Sequence, residues 1–240
     1  MKGSVIQAVL QRSDWSKTKP ISGQTFEAYK SLYAYDSGPL DPLSEGKQTF
    51  RSWTRERVTF DATNSGKRMV LYLYLPLNGS PPYQTVVFMP GIDAWYTDSV
   101  DQFGMPLDFL IKSGRAVAFP VLRGTFERRD GLGLLGGIGF TSQQTTLADR
   151  DAFVKVVQDF RRSLDYLVTR PDIAPGSLAY YGLSSGAMMA PNILSQEARF
   201  RVAVLSLGGL AYDDLRWPEL RPENFFSRVK IPILALILYK

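Results

Sequence analysis

The sequence predicts an α/β fold in which a doubly wound, mostly parallel sheet carries helices on both faces. Short apolar runs alternate along the chain with segments of helical periodicity, an order that is typical of parallel sheets. Most of these runs are continuously apolar, as expected for strands that are buried on both faces. A β-rich hairpin precedes them and predicts an antiparallel pair at the leading edge of the sheet.

The predicted elements begin at about residue 53. Two β-rich runs, 57–60 and 69–75, are joined by the turn-forming residues 64–67 and predict the hairpin. Further strands are predicted at 85–89, 116–121, 178–181, 201–206 and 231–238. Helices are predicted at 105–112, 151–168 and 185–195, and the second of them has the clearest apolar stripe.

The chain divides at this point into an N-terminal extension, residues 1–52, and an α/β domain, residues 53–240. Proline and glycine interrupt the extension, which is expected to be an irregular arm. A short helix is expected within it, because Phe26, Tyr29, Leu32 and Tyr33 recur at helical spacing.

Composition excludes several classes of function. The 28 basic and 23 acidic residues give a net charge of +5 but are scattered, so no nucleic-acid partner is expected. No signal peptide or membrane span is evident, so a cytoplasmic protein without a membrane partner is expected. The sequence has no cysteine and no histidine. Disulfides, the usual zinc sites and a histidine base from this chain are therefore excluded, and no metal or cofactor is expected.

A Gly-x-Ser-x-Gly motif, formed by Gly182, Ser184 and Gly186, lies between a predicted strand and a predicted helix. This context is typical of a nucleophile elbow, in which a strained turn projects the seryl oxygen over the edge of the sheet. The two glycines would relieve the crowding of that turn. The N-terminus of the following helix would favour negative charge there. A glycine-rich turn without chemistry is the structural alternative.

A second element follows the predicted strand 85–89, where Pro90 and Gly91 lead into Ile92 and Asp93. A loop in this place supplies one backbone N–H to an oxyanion hole, and the residue after the nucleophile supplies the other. The candidate donors are therefore Ile92, or its neighbour Asp93, together with Ser185. Donors of this kind contribute on the order of 3–4 kcal/mol to lowering the barrier.

Asp93, Trp95 and Tyr96 are also possible pocket residues. The two aromatic side chains could stack on an aryl or sugar group, or they could pack beneath the loop, and the sequence leaves both alternatives open. Asp93 and the nearby Asp98 would be weak general bases near neutral pH, and ordinary loop acids are expected.

Several segments carry a resemblance to a known family: Tyr33–Asp36 with Pro39–Pro42, Arg55–Asp61, Pro82–Val87, Ser113–Arg115, Arg123–Thr125, Asp165–Ile173 and Tyr181–Gly186. Over about residues 25–236 the chain resembles the α/β-hydrolase domains of the dienelactone hydrolase, acetyl xylan esterase and prolyl oligopeptidase group. It most resembles the version found at the C-terminus of some bacterial serine/threonine-kinase-like proteins. The last two segments are the most specific.

The resemblance implies a Ser-Asp-His triad that acts through an acyl-enzyme, with Ser184 as the nucleophile and Ile92 and Ser185 as oxyanion donors. In the family the acid follows the strand that corresponds to residues 231–236, and the histidine comes later still. Both would lie at or beyond Lys240, where the sequence stops. The expectation is a C-terminally incomplete α/β-hydrolase fold with a truncated triad and weak turnover.

These observations favour a serine hydrolase that acts on a small-molecule carboxylic ester. A prolyl-oligopeptidase-like peptidase is one alternative, less favoured because no propeller or gating domain precedes the catalytic part. The other is a non-catalytic binding or regulatory module that retains the fold, which the missing histidine supports. An incomplete sheet would expose an apolar edge around residues 231–238, so self-association through that edge is expected.

Overall fold

Eight strands form one sheet in the part of the chain that the structure, a computed structural model, describes: residues 19–63, 67–104, 106–129, 146–208 and 217–236. The strands are β1 (Leu43–Thr49), β2 (Trp53–Asp61), β3 (Arg68–Pro76), β4 (Tyr83–Met89), β5 (Ala116–Val121), β6 (Ile173–Leu183), β7 (Phe200–Ser206) and β8 (Ile233–Leu236). They lie side by side in the order β1-β2-β3-β5-β4-β6-β7-β8.

The first three pairs in this order are antiparallel, and all pairs from β5 to β8 are parallel. The predicted mostly parallel α/β sheet with a leading hairpin is therefore confirmed. The centre of the hairpin turn, residues 64–66, lies outside the described residues.

Helices cover the sheet on both faces. The α-helices are α1 (Gly23–Ser31), α2 (Val100–Phe103), α3 (Asp108–Lys112), α4 (Leu147–Leu167), α5 (Ser185–Leu194) and α6 (Glu223–Phe226). Short 3₁₀ helices lie at Ile92–Trp95, Phe126–Arg128 and Pro218–Leu220. One buried cluster joins the sheet to α4 and α5, and a second joins it to the region of the first two 3₁₀ helices. Within these residues no helix has the length and apolar character needed to cross a membrane.

Helix α4 begins at Leu147 rather than at the predicted Asp151. The hydroxyl of Thr146 accepts a hydrogen bond from the N–H of Asp149, whose carboxylate accepts one from the N–H of Thr146. This reciprocal capping box satisfies N–H groups that would otherwise be unpaired, and so it fixes the start of the helix. Leu147 in the first turn is 53% exposed, so this turn does not extend the apolar stripe, which is why the periodicity of the sequence did not include it.

The prediction that residues 43–49 form an irregular arm was wrong. They form β1, which pairs with β2 and contains a bulge between Ser44 and Gly46. All seven residues are exposed, so backbone pairing builds this strand without the apolar alternation by which strands are recognised in a sequence. The short helix predicted in the extension is present as α1, with Phe26 buried.

The buried Tyr72 of β3 donates its hydroxyl hydrogen to the carboxylate of Glu127, in the 3₁₀ helix after β5. Burial raises the pKa of Tyr72 from 10.0 to about 12, the Glu127 carboxylate adds to the rise, and Arg57 opposes it. Between pH 10 and 12 the phenol of Tyr72 therefore stays protonated in the folded state and is deprotonated in the unfolded chain. This contribution to stability is complete below pH 10 and is lost as pH rises from 10 to 12.

We therefore expect Tyr72→Phe to reduce the loss of stability between pH 10 and 12, because the variant has no phenol to titrate. Urea unfolding at a series of alkaline pH values measures this. Tyr96→Phe is the matched control, since Tyr96 is 66% exposed. Parallel pH profiles for the Tyr72 variant and the unaltered protein would contradict the prediction.

Strand β8 borders the sheet and exposes apolar side chains. Leu234 is 55% exposed, Leu236 is 45% exposed and Val202 on β7 is 39% exposed. Among the described residues β8 pairs with β7 alone, so its outer backbone groups are open to another strand. Self-association through this edge stays a prediction; residues 237 and 238 of the predicted edge lie outside the described ranges.

We expect the average mass measured by light scattering to rise with protein concentration, because association would bury these leucines. Leu234→Lys should keep the protein monomeric, since a charge on an edge strand opposes strand addition. Leu77→Lys is the control, as Leu77 is 54% exposed and follows β3 away from this edge. A monomer mass at every concentration of the unaltered protein would rule the association out.

Candidate active site

The carboxyl ends of the parallel strands meet at one edge of the sheet, which is where open α/β sheets bind their ligands. Ser184 follows β6 at this edge, and Ser185 begins α5. The neighbouring strand β4 ends there too and leads through Gly91 into the 3₁₀ helix Ile92–Trp95. The structure therefore brings Ser184 and the candidate donors to the ends of two adjacent strands.

The backbone of Ser184 is strained, with φ 52° and ψ −114°. Such a conformation costs a non-glycine residue about 1–3 kcal/mol and persists only where its surroundings enforce it. Two close backbone approaches do so here. A Cβ on Gly186 would lie 2.2 Å from the carbonyl oxygen of Met89, and one on Gly182 would lie 2.7 Å from that of Gly186. The buried Tyr180 hydroxyl also donates to the Gly186 carbonyl at 2.6 Å.

Gly91 packs against the serine, since a Cβ there would lie 3.2 Å from the Ser184 Cβ. Ile92 is the first residue of its 3₁₀ helix, and Ser185 is the first residue of α5. Their N–H groups, like that of Asp93, are therefore not used in hydrogen bonds within those helices. Backbone donors that their own helices do not use, at the ends of two adjacent strands, are an arrangement that can stabilise negative charge on a carbonyl oxygen.

The remaining pocket candidates have different surroundings. Trp95 is 5% exposed and lies in the buried cluster with Phe88, so its ring packs beneath the loop. Tyr96 is 66% exposed, and Asp93 is also exposed. Asp98 forms a solvent-exposed ion pair with Arg129 at 2.8 Å. Of the aromatic pair, only Tyr96 has a face open to a ligand.

Two residues that sequence analysis did not single out also lie near Ser184. A Cβ on Gly208 would lie 2.5 Å from the carbonyl oxygen of Ser184. Leu207, which precedes it, has a φ of 60°. The sequence contains one signal for this approach, because Gly208 and Gly209 lie within three residues of the end of a predicted strand.

The loop after β5 reaches the same edge and is anchored by a buried ion pair. Arg128 Nη1 lies 3.0 Å from the carboxylate of Asp159 on α4, and the two side chains are 10% and 1% exposed. The same nitrogen donates to the carbonyl oxygen of Val121 at 2.9 Å. The ion pair thus fastens this loop to the helix that packs on the sheet.

A cavity of about 390 Å³ lies at the opposite edge of the sheet, lined by Arg51, Ser52, Leu77, Asn78 and Lys112. Lys112 ends α3 before β5 begins, and its ammonium group pairs with Asp108 at 2.6 Å. Strands β5, β4 and β6 are parallel. The cavity lies near the start of β5 and Ser184 lies at the end of β6, so the length of the strands separates them.

No protein-family model matches the sequence, and no curated protein matches it. Solved structures do match. A candidate acetyl xylan esterase from Bacteroides fragilis has 13% identity and a TM-score of 0.66, over 98% of this chain and 75% of that one. The acetyl xylan esterase from Paenibacillus sp. R4 has 14% identity and a TM-score of 0.59, over 98% and 93%. The glucuronoyl esterase from Solibacter usitatus has 16% identity and a TM-score of 0.52, over 82% and 62%.

At these identities the similarity concerns the fold. The mostly parallel sheet and the arrangement shared with these esterases show that the chain has an α/β-hydrolase fold.

Proposed function

We propose that this chain carries the nucleophile of a serine hydrolase that acts on small-molecule carboxylic esters through an acyl-enzyme on Ser184. The observation that carries the proposal is the strained backbone of Ser184, at the turn between β6 and α5. Strain of this kind clusters at functional sites. The solved structures of similar fold, which are named as esterases, support the choice of an ester substrate.

In this proposal the hydroxyl oxygen of Ser184 attacks the ester carbonyl carbon, and the developing oxyanion accepts hydrogen bonds from the N–H groups of Ile92 and Ser185. Both groups are held by short helices that begin beside the serine. The positive end of α5 adds to the stabilisation of negative charge. Donors held in place in this way contribute on the order of 3–4 kcal/mol.

As the new bond forms the serine loses its proton, which passes to solvent water because the sequence contains no histidine to accept it. Collapse of the oxyanion then breaks the bond between the carbonyl carbon and the alcohol oxygen, the alcohol leaves with a proton from water, and a second water molecule hydrolyses the acyl-enzyme. The proposal therefore assigns the nucleophile and the oxyanion donors to these 240 residues and expects slow turnover from them. Oxyanion-hole and binding contacts without a triad retain roughly a 10³-fold acceleration over water in well-studied hydrolases.

Labelling with a fluorophosphonate probe, followed by mass spectrometry, tests the proposal. We expect a slow modification of the peptide that contains Ser184, together with weak hydrolysis of p-nitrophenyl acetate. Both signals should be lost in Ser184→Ala and kept in Ser113→Ala, because Ser113 follows α3 near the opposite edge of the sheet. An equivalent proline p-nitroanilide should react more slowly than the ester; a faster reaction would favour a peptidase.

The second candidate is a non-catalytic binding or regulatory module, and the absence of histidine is the observation that favours it. It predicts that the folded protein resists the probe even after long incubation. Circular dichroism and a cooperative melting curve on the same sample show whether the protein is folded. A folded protein without labelling would remove the hydrolase proposal and leave the module.

A further inference from the structure

A hydrogen bond links the strained nucleophile, Ser184, to the residue that precedes a second strained residue, Leu207. The N–H of Ser184 donates to the carbonyl oxygen of Ser206, the last residue of β7, at 2.7 Å. The next residue, Leu207, has a φ of 60°, and Ser184 itself has a φ of 52°. Positive φ values are costly for residues with side chains, so the contacts around both residues must hold them there.

The segment 206–208 also contacts Ser184 from a second direction. A Cβ on Gly208 would lie 2.5 Å from the Ser184 carbonyl oxygen and 2.9 Å from the Cβ of Ala187. That carbonyl oxygen accepts the hydrogen bond from the N–H of Met188 in the first turn of α5. Both backbone ends of Ser184 are therefore fixed in part by the segment 206–208, one by a hydrogen bond and the other by close packing.

The segment 206–208 is itself anchored to the sheet. The N–H of Leu207 donates to the carbonyl oxygen of Leu236 in β8 at 2.9 Å, which continues the pairing of β7 with β8 beyond Ser206. Leu207 is 47% exposed, so burial of its side chain does not account for its unusual backbone. The turn at Leu207 is what brings Gly208 against Ser184 while Ser206 still accepts the serine N–H.

We infer that the segment 206–208 positions the nucleophile, with Gly208 as its critical residue; this inference rests on the proposed function. Gly208 does not touch the substrate in this inference. It acts through Ser184. Because Gly208 has no Cβ, the carbonyl group of Ser184 is not displaced, and the seryl oxygen keeps its position. A displacement of about 1 Å in a reacting group can lower a rate by about 10²-fold.

The test compares the second-order rate constant for fluorophosphonate labelling of Ser184 in a set of variants. Gly208→Ala should lower it by about 10- to 100-fold. Gly23→Ala, the matched control, should not change it, because a Cβ at Gly23 meets nothing within 4 Å. Adding Ala187→Gly to Gly208→Ala should raise the labelling rate again by several-fold, since it removes the Ala187 Cβ, one of the three atoms that the new methyl would meet.

The double variant separates positioning from general stability. Glycine in a helix destabilises it, so Ala187→Gly alone should lower the melting temperature. A purely structural role of Gly208 predicts that the double variant is also slower to label. Equal labelling rates for Gly208→Ala and the unaltered protein, or no recovery in the double variant, would overturn the inference.

Hydrogen exchange tests whether Gly208 holds the backbone of Ser184, and this measurement does not depend on the reactivity of the serine. Gly208→Ala should speed exchange in the peptide 182–188, which includes the N–H that donates to Ser206, and leave β5 unchanged. If the unaltered protein is not labelled, the proposed function fails, while this comparison still tests the contact. Unchanged exchange in the peptide 182–188 would overturn the inference whatever the labelling shows.

Discussion

Replacing Gly186 with alanine is expected to lower the free energy of unfolding by about 3 kcal/mol or more and to abolish labelling of Ser184. The added Cβ would lie 2.2 Å from the carbonyl oxygen and 2.8 Å from the carbonyl carbon of Met89. These are backbone atoms of β4, so no side chain can rotate away. Overpacking of a well-packed site costs typically about 1–3 kcal/mol and occasionally more.

Urea unfolding measures the loss of stability, and the fluorophosphonate reaction measures the loss of the nucleophile's geometry. Gly38→Ala is the matched control, because its Cβ would meet only Asp36, at 3.8 Å, an ordinary contact. An unfolding midpoint for Gly186→Ala that equals the control's would contradict the close packing of the turn at Ser184 against β4.

The second large effect is expected at the buried ion pair. Asp159→Ala removes the carboxylate that lies 3.0 Å from Arg128, and both side chains are nearly or fully buried. An unpaired charge then remains in a poorly hydrated place, and removing one partner of a buried pair costs about 3–5 kcal/mol. Urea unfolding should show a loss of that size.

The neighbouring ion pair provides the control. Asp98→Ala breaks the pair with Arg129, whose side chains are 73% and 37% exposed, and exposed pairs contribute about 0–1 kcal/mol. Combining Asp159→Ala with Arg128→Met should restore part of the stability, because no buried charge is left without a partner. Equal losses for Asp98→Ala and Asp159→Ala would contradict the assignment of the Arg128 pair to the interior.

The sequence predicts those parts of the fold whose signal is local and strong. Strand β5 is a continuous apolar run with every residue buried, and it spans the predicted residues 116–121. Strand β1 has no such signal, since its residues are all exposed and only the pairing with β2 holds it. Long-range backbone pairing has no periodicity of its own, so a polar edge strand is not evident from composition or spacing.

The same distinction applies to the candidate site. The turn at Ser184 is predicted because each of its two glycines lies two residues from the serine in sequence, and this spacing reflects crowding inside one turn. The contact with Gly208 comes from a different strand, so no short motif contains it. Trp95 could not be assigned from sequence, since an aromatic ring suits a ligand and a core equally; its burial in the structure settles where the ring lies.

The two edge strands of the described sheet, β1 and β8, differ in how readily they would pair with a strand of another protein chain. Strand β1 carries Glu45 and Lys47 and is bent by its bulge, features that discourage strand addition. Strand β8, with the residues Ile233–Leu236, carries no charge. A sheet with one charged, bulged edge strand and one uncharged edge strand can pair with its own copy through the uncharged strands, around a two-fold axis. That contact would occupy the uncharged edge strand of both subunits, so assembly would stop at a dimer instead of extending into a filament.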